Sequence, residues 1–218
     1  MTTISSESLM IDPIRRALEN IHPPSVWAEQ YRSGYGIADL VGMVISQRAR
    51  QLRADNDVKI SVSSRRGLAV LAVLQQERSV SLDSLARRTA LTDNTVRAVL
   101  RILIRSGLAV GAGNRAYRLS ACALNPASEI IAVEAKIDRW SRAILQARRY
   151  LLFADRTYVA ISAGTVSRVD RAFLYRHRVG LIGVGNGEAY VVVPAPRVRP
   201  RSSLAHRACA ERLFSISA

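Results

Sequence analysis

The sequence predicts a mixed α/β protein (α/β with α+β character), with a core sheet flanked by helices and a compact helical segment interrupting it. Three observations carry that expectation. Residues 128–193 alternate strand, helix, strand and helix before a closing hairpin, and their strands are largely apolar. Residues 26–46 read as strand, turn and strand. Between these stretches, 65–119 changes to helical periodicity with tight turns. With 49% hydrophobic residues in 218, the chain can bury a proper core, which excludes a wholly disordered basic protein.

The elements follow in order. DPIRRALENI (12–21) opens with Asp-Pro, a favourable helix start, and His22-Pro23-Pro24 ends it. VWAEQYR, SGYG and IADLVGMVIS give strand, turn and strand. RARQLRADND (48–57) is polar and reads as helix or loop, and VKISVSS (58–64) reads as a further strand. RRGLAVLAVLQQER (65–78) is a helix. SLDSLARRTA is a second one, with Ser81 as N-cap and Asp83 in its first turn. LTDN turns into a third helix, TVRAVLRILIRS, which Gly107 stops. LAVGAGNRAYRLS forms a hairpin around Gly111–Asn114. Three helices with a tight second turn and a terminal hairpin spell a winged helix-turn-helix. After the linker ACALNPA come a strand (128–137), an amphipathic helix (138–154), a strand, a helix and a hairpin. The Pro/Arg-rich stretch 194–203 should lie along the surface or move freely. The expected organisation is a discontinuous core (1–62 and 121–200), a winged helix (63–120) and a basic tail (201–218).

Charge points to the partner. Thirty-two Lys and Arg against 17 Asp and Glu leave +15, an excess that suits a polyanion, nucleic acid above all. No apolar run approaches the ~20 residues that span a bilayer, so no membrane partner is expected. MTTISSESLM lacks the blocks of a signal peptide, which makes the cytoplasm, nucleoid included, the expected location. Cys122 and Cys209 are too few for a four-ligand zinc site. Neither cysteine, nor any of the three histidines, is assigned a role. Lys occurs only at Lys59 and Lys136, and the other 30 basic residues are Arg.

The most informative piece is Val133-Glu134-Ala135-Lys136. Strand alternation puts Glu134 and Lys136 on one face, about 7 Å apart along the backbone. A carboxylate that binds a hard cation beside an ammonium that orients water or offsets phosphate charge suits phosphodiester hydrolysis. The bland reading is a structural ion pair, common on ordinary strands. Against it stand the apolar neighbours Ile130, Ile131 and Val133, and a Lys where this chain habitually uses Arg. Asp39 lies inside the apolar run Gly36–Val41, where a carboxylate needs a cation or hydrogen bonds. Gln146 and Tyr150 fall at i, i+4 on one helical face, and Glu19 on the first helix is a candidate extra ligand.

Asp39 on a strand, Glu134-x-Lys136 on the next core strand and a helix bearing Gln146-Ala-x-x-Tyr150 together resemble the PD-(D/E)XK nuclease superfamily. The last element is similar to the QAxxY of its RecB-type and Cas4-like branches. The resemblance covers roughly residues 12–46 and 127–194. It implies a restriction-endonuclease-like core in which Asp39 and Glu134 hold Mg²⁺ (or Mn²⁺), Lys136 assists water attack and Gln146 lies beside the site. The sequence departs from the family in one respect. Ninety-five positions separate Asp39 from Glu134, where the family has a short hairpin, and insertion of the winged helix there accounts for them.

On the third helix Val96, Val99, Leu100 and Leu103 should face the core, while Arg97, Arg101 and Arg105 share another face. Asn94 and Thr95 stand at its start, where a recognition helix offers side chains to base edges. Arg115 and Arg118 on the wing should reach a neighbouring groove or backbone. Winged helices also dimerise, which leaves a homodimer open. The expected function is a Mg²⁺-dependent DNA nuclease, double-stranded DNA being the leading substrate, that grips DNA with its inserted winged helix. The alternative is a DNA-binding transcriptional regulator whose nuclease-like core is an inactive scaffold. RNA processing ranks third, because few aromatic residues are available for stacking.

Overall fold

Apolar residues at alternate positions organise the main sheet of the computed structural model, which describes residues 6–58, 62 and 64–217. A 3₁₀ turn (Glu7–Met10) leads into α1 (Ile11–Glu19). The strands β1 (Val26–Arg32) and β2 (Ile37–Ile45) pair antiparallel. The chain then leaves the sheet through α2 (Gln47–Asp55), α3 (Arg65–Leu74), β3 (Val80–Ser81), α4 (Leu82–Thr89), α5 (Asp93–Arg105), β4 (Ala109–Gly111) and β5 (Ala116–Leu119). It returns as β6 (Ala127–Lys136), α6 (Trp140–Ala147), β7 (Arg156–Ser162), α7 (Arg171–His177), β8 (Gly180–Gly185) and β9 (Glu188–Val193), and ends in α8 (Ser203–Ile216). The six-stranded sheet runs β1-β2-β6-β7-β8-β9. β6, β7 and β8 are mutually parallel, and β8 and β9 form an antiparallel hairpin. The protein is thus mixed α/β, with a six-stranded mixed sheet flanked by helices.

Contacts divide the chain into two compact units, Met1–Val44 with Glu129–His206, and Ile45–Ser128 with Arg207–Ala218. In the sheet unit, Met10, Ile11, Ile14 and Leu18 of α1 and its lead-in pack with Leu40 of β2 and Ile131, Val133 and Ala135 of β6. Burial of that stripe holds α1 against one face of the sheet. The Pro/Arg-rich stretch is pinned to this unit. The Val198 amide donates to Asp155 O and the Arg201 amide to Leu151 O, while Arg156 donates to Ala195 O.

The second unit contains α3, α4 and α5 with a three-stranded sheet in the order β3-β5-β4. Ser64, Ser81 and Thr92 cap the three helices by accepting from Gly67, Ser84 and Thr95 amides. Gly107 follows α5 with φ +67°, where the Leu108 amide closes on Leu103 O, a turn that a β-carbon would strain. Val96, Val99, Leu100 and Leu103 are buried. This unit begins and ends outside the expected limits of 63 and 120. The polar stretch 48–57 is the helix α2, and Arg53 on it is buried against Glu211 of α8. Residues 203–216, expected within a basic tail, are therefore helical and contribute buried Cys209, Ala210 and Leu213. The strand expected at 58–64 falls on 59–61 and 63, outside the described residues. The helix expected over 138–154 ends at Ala147 and continues as a 3₁₀ turn (Arg148–Leu152).

Candidate active site

Leu40 and the odd-numbered residues of β6 turn toward α1, so strand alternation sends Asp39 on β2 and Glu134 and Lys136 on β6 to the opposite face. β2 and β6 are neighbours, and the three side chains converge. Lys136 Nζ lies 3.3 Å from Glu134 Oε1 and 3.9 Å from Asp39 Oδ2. Asp39 Oδ2 accepts the Ala135 amide at 2.8 Å, which ties the two strands at the site. Its other oxygen accepts the Gln30 side-chain amide at 3.0 Å. Gln30 has φ +48° and drops out of the β1–β2 pairing, whose register is the same on either side, Glu29 with Leu40 and Tyr31 with Ala38. A residue in that sparsely populated region needs support from its surroundings. Here the irregularity comes with an amide donor to Asp39.

Glu134 is only 2% exposed, and its partner is Tyr150, whose hydroxyl donates to Oε2 and also lies 2.6 Å from Ile37 O. Glu134 Oε2 and Ile37 O therefore share one hydroxyl donor. Burial pushes the Glu134 carboxyl above its ordinary value, and the Asp39 charge adds to this, while Tyr150 and Lys136 oppose it. Burial, and then the carboxylate it faces, push the Tyr150 hydroxyl upward as well, so it stays a proton donor. Burial works against the Lys136 ammonium. The Glu7 hydrogen bond and the charges of Glu134 and Asp39 outweigh it, and the pKa ends above the ordinary lysine value. Lys136 is therefore a cation at neutral pH, and it donates to Glu7 Oε2 and to Ala135 O.

Glu7 is the member that sequence reasoning missed. It sits on the 3₁₀ turn before α1, and its Oε2 accepts from Lys136 Nζ at 2.9 Å. Nothing in the sequence around it marks it, since it is one acid in a serine-rich lead-in. Glu19, the expected extra ligand, is placed elsewhere. It accepts the Trp27 indole N–H at 3.0 Å, and that ring lies across Gly42, where an added β-carbon would meet it at 2.4 Å. Glu19 thus fixes a tryptophan rather than joining the acids. Gln146 and Tyr150 also part company. The passage from α-helix to the tighter 3₁₀ turn rotates Tyr150 relative to Gln146, and the tyrosine is the one that reaches Glu134. Gln146 Oε1 is buried and has no hydrogen-bond partner among the described residues.

Three carboxylates, Glu7, Asp39 and Glu134, face one ammonium, so the cluster carries two negative charges in excess when all are ionised. Among the described residues no group of three or more His, Cys, Asp and Glu side chains is disposed to hold a metal ion. Were Mg²⁺ to bind, Asp39 and Glu134 would be the residues to hold it. It is ordinarily held by one or two carboxylates and completed by water and substrate phosphate. Asp39 Oδ2 and Glu134 Oε1 approach the same Lys136 nitrogen, and both are hard oxygen donors.

The residues expected to contact DNA lie together on the second unit. Arg97, Arg101 and Arg105 are exposed along α5, and none makes an ion pair among the described residues. Asn94 is exposed in the first turn, while Thr95 is engaged with Thr92, whose hydroxyl is 2.9 Å away. Arg115, with φ +57°, sits in the β4–β5 turn, and Arg118 is exposed on β5. No helix among the described residues is long and apolar enough to cross a membrane.

No family model matches the chain. No curated protein matches it either. Among solved structures it is similar to a protein of unknown function from Silicibacter pomeroyi, with 22% identity over 55% of this chain and 80% of that one. The TM-score is 0.32, and a likeness at that level carries no argument about fold or function.

Proposed function

We propose that the protein is a Mg²⁺-dependent DNA nuclease of PD-(D/E)XK type, whose second unit binds DNA as a winged helix-turn-helix. The observation that carries this reading is the meeting of Asp39, Glu134 and Lys136 on neighbouring strands, with two carboxylates around one ammonium. A bound Mg²⁺ or Mn²⁺ would supply Lewis-acid polarisation of the scissile phosphate. Asp39 is held for that task by the Ala135 and Gln30 donors, and Glu134 by Tyr150. Lys136 places a fixed positive charge where negative charge builds on the phosphate. The three helices and three-stranded sheet of the second unit, with an exposed arginine row on α5, support the DNA-binding half of the proposal.

One observation favours the second reading, a DNA-binding regulator with a silent nuclease-like scaffold. Lys136 is already paired to Glu7, and both Asp39 oxygens already accept hydrogen bonds. A resting enzyme must release Lys136 from Glu7 when substrate arrives, whereas a scaffold never does.

The deciding experiment incubates the full chain with varied DNA substrates, with and without Mg²⁺ or Mn²⁺. Metal-dependent cleavage by the wild type is expected. Lys136→Ala should lose it by roughly 100-fold or more while DNA affinity stays nearly unchanged. Lys136→Arg should also be poor, because a planar guanidinium places its donors differently. A folded wild type that cuts nothing would establish the scaffold reading instead.

A further inference from the structure

A second charged constellation lies in the sheet unit and shares no residue with the acid cluster. Arg148 at the end of α6, Arg176, His177 and Arg178 at the end of α7, and Arg201 in the Pro/Arg-rich stretch line a cleft of about 250 Å³. Five cationic or cation-capable side chains from three separate segments converge on it, and no carboxylate is among its walls. Among the described residues, none of the four guanidinium groups forms an ion pair or a side-chain hydrogen bond. Some arginines elsewhere in the same unit are partnered, such as Arg156 with Glu129 at 2.9 Å.

Helix ends do not account for the cluster. Cations are favoured near helix C-termini, each of which carries about half a negative charge. Two such ends, those of α6 and α7, supply at most about one negative charge against four guanidinium groups. The α7 end is moreover closed by its own backbone, with the Arg178 amide, in left-handed conformation at φ +57°, donating to Tyr175 O and the Val179 amide to Leu174 O. Arg201 belongs to neither helix, yet its backbone is fixed by donation to Leu151 O. His177 is held against Phe173, ring centroids 4.3 Å apart, and Phe173 packs edge-on to Trp140. The backbone at Arg178 and Arg201 and the His177 ring are thus fixed, while the four guanidinium groups are exposed and hold uncompensated positive charge.

We propose that this cleft binds phosphate groups, presented either by a polynucleotide backbone or by a small phosphorylated molecule. Its volume falls below the ~300–1,000 Å³ of ordinary small-molecule pockets, and its walls are cationic where those are apolar. Guanidinium groups recognise phosphate oxygens through paired, charge-assisted hydrogen bonds. The site stands whether or not the acid cluster cuts DNA, since none of its residues belongs to that cluster.

Pyrophosphate is the probe that tests it, titrated into the full chain by calorimetry while the His177 imidazole is followed by NMR. Wild type should bind, and the His177 resonances should shift, because the guanidinium groups of Arg148 and Arg176 beside that ring become neutralised. The double variant Arg176→Ala, Arg201→Ala should lose roughly tenfold or more in affinity. A control with the same net charge, Arg50→Ala, Arg66→Ala, should keep it. Competition by a DNA duplex lacking terminal phosphates assigns the cleft to a polynucleotide backbone, and its failure assigns it to a small phosphorylated molecule; both outcomes keep the proposal. Melting of the cleft variant should stay level or rise as like charges are relieved. No pyrophosphate binding by wild type, equal loss in both double variants, or a lowered melting temperature with unchanged affinity would overturn it.

Discussion

Each compact unit holds an ionic cluster, and the two are built on opposite plans. In the helical unit Arg53 makes a bidentate pair with Glu211, at 3.0 Å and 2.7 Å, and Arg207 adds a third contact at 2.8 Å. Arg53 also donates to Cys122 O and lies 4.7 Å over the Phe214 ring. Glu211 is wholly buried and both guanidinium groups face it, so the cluster is closed to solvent, although Arg207 Nη2 has no hydrogen-bond partner among the described residues. The cluster of the sheet unit is open. Its carboxylates outnumber its ammonium by three to one, Glu134 is held above its ordinary pKa by burial, and Glu7 and Lys136 are partly exposed. A closed cluster specifies one arrangement of helices. An open, over-acidic one is unfavourable by itself, and such sites are retained where a cation or substrate completes them.

Breaking the closed cluster should give the largest effect on stability. Glu211→Ala strands two buried guanidinium groups and should destabilise the protein by about 3–5 kcal/mol, read by urea unfolding. Replacing Arg53, Arg207 and Glu211 together by apolar residues of similar volume should cost far less. Equal losses in the two variants would mean that packing, and not the charges, holds α2 to α8.

The outer face of α5 makes the next contrast, since Arg97, Arg101 and Arg105 make no ion pair among the described residues whereas Arg53 is fully engaged. Arg97→Ala, Arg101→Ala and Arg105→Ala combined should weaken DNA binding and flatten its salt dependence. Each lost phosphate contact should lower the slope of log affinity against log salt by about 0.9. Stability should hardly change, because exposed unpaired charges contribute little. An unaltered salt slope would remove α5 from the DNA face.

These two regions also differ in how far the sequence revealed them. The apolar faces of β2, β6 and α5 were legible, because burial on one side leaves a period of two or of 3.6. Asp39, Glu134 and Lys136 were legible because charge inside an apolar strand is costly and therefore conspicuous. Arg53 and Glu211 were not. They are set in polar segments, RARQLRADND and HRACAERL, where a buried ion pair reads the same as a solvated one. Glu7 and Gln30 were hidden for a different reason. Their roles depend on a 3₁₀ turn and on a residue with positive φ, neither of which leaves a periodic signature. The same holds for the arginine cleft, whose members lie 53 positions apart at the extremes and meet only through the tertiary fold.

The smallest expected effect is the most direct test of whether the second cluster is open. Glu134→Gln removes the buried charge, keeps an oxygen to accept from Tyr150, and leaves Lys136 paired to Glu7. Because the folded-state pKa of Glu134 lies above its ordinary value of 4.5, the folded protein holds that proton more tightly than the unfolded chain. Its contribution to stability is therefore greatest below 4.5 and is lost as pH rises through the folded-state value. At neutral pH the Gln variant should melt above wild type, by about 2–4 °C for each kcal/mol of relieved cost at this chain length. Below pH 4.5 the two should melt together. Mg²⁺ should narrow the neutral-pH gap by stabilising wild type alone, since an ion that binds only the folded state adds stability with its concentration. The variant should show no such response and no cleavage. Wild type melting above the Gln variant at neutral pH would mean that Glu134 is satisfied as an ion, and that the two clusters are closed alike.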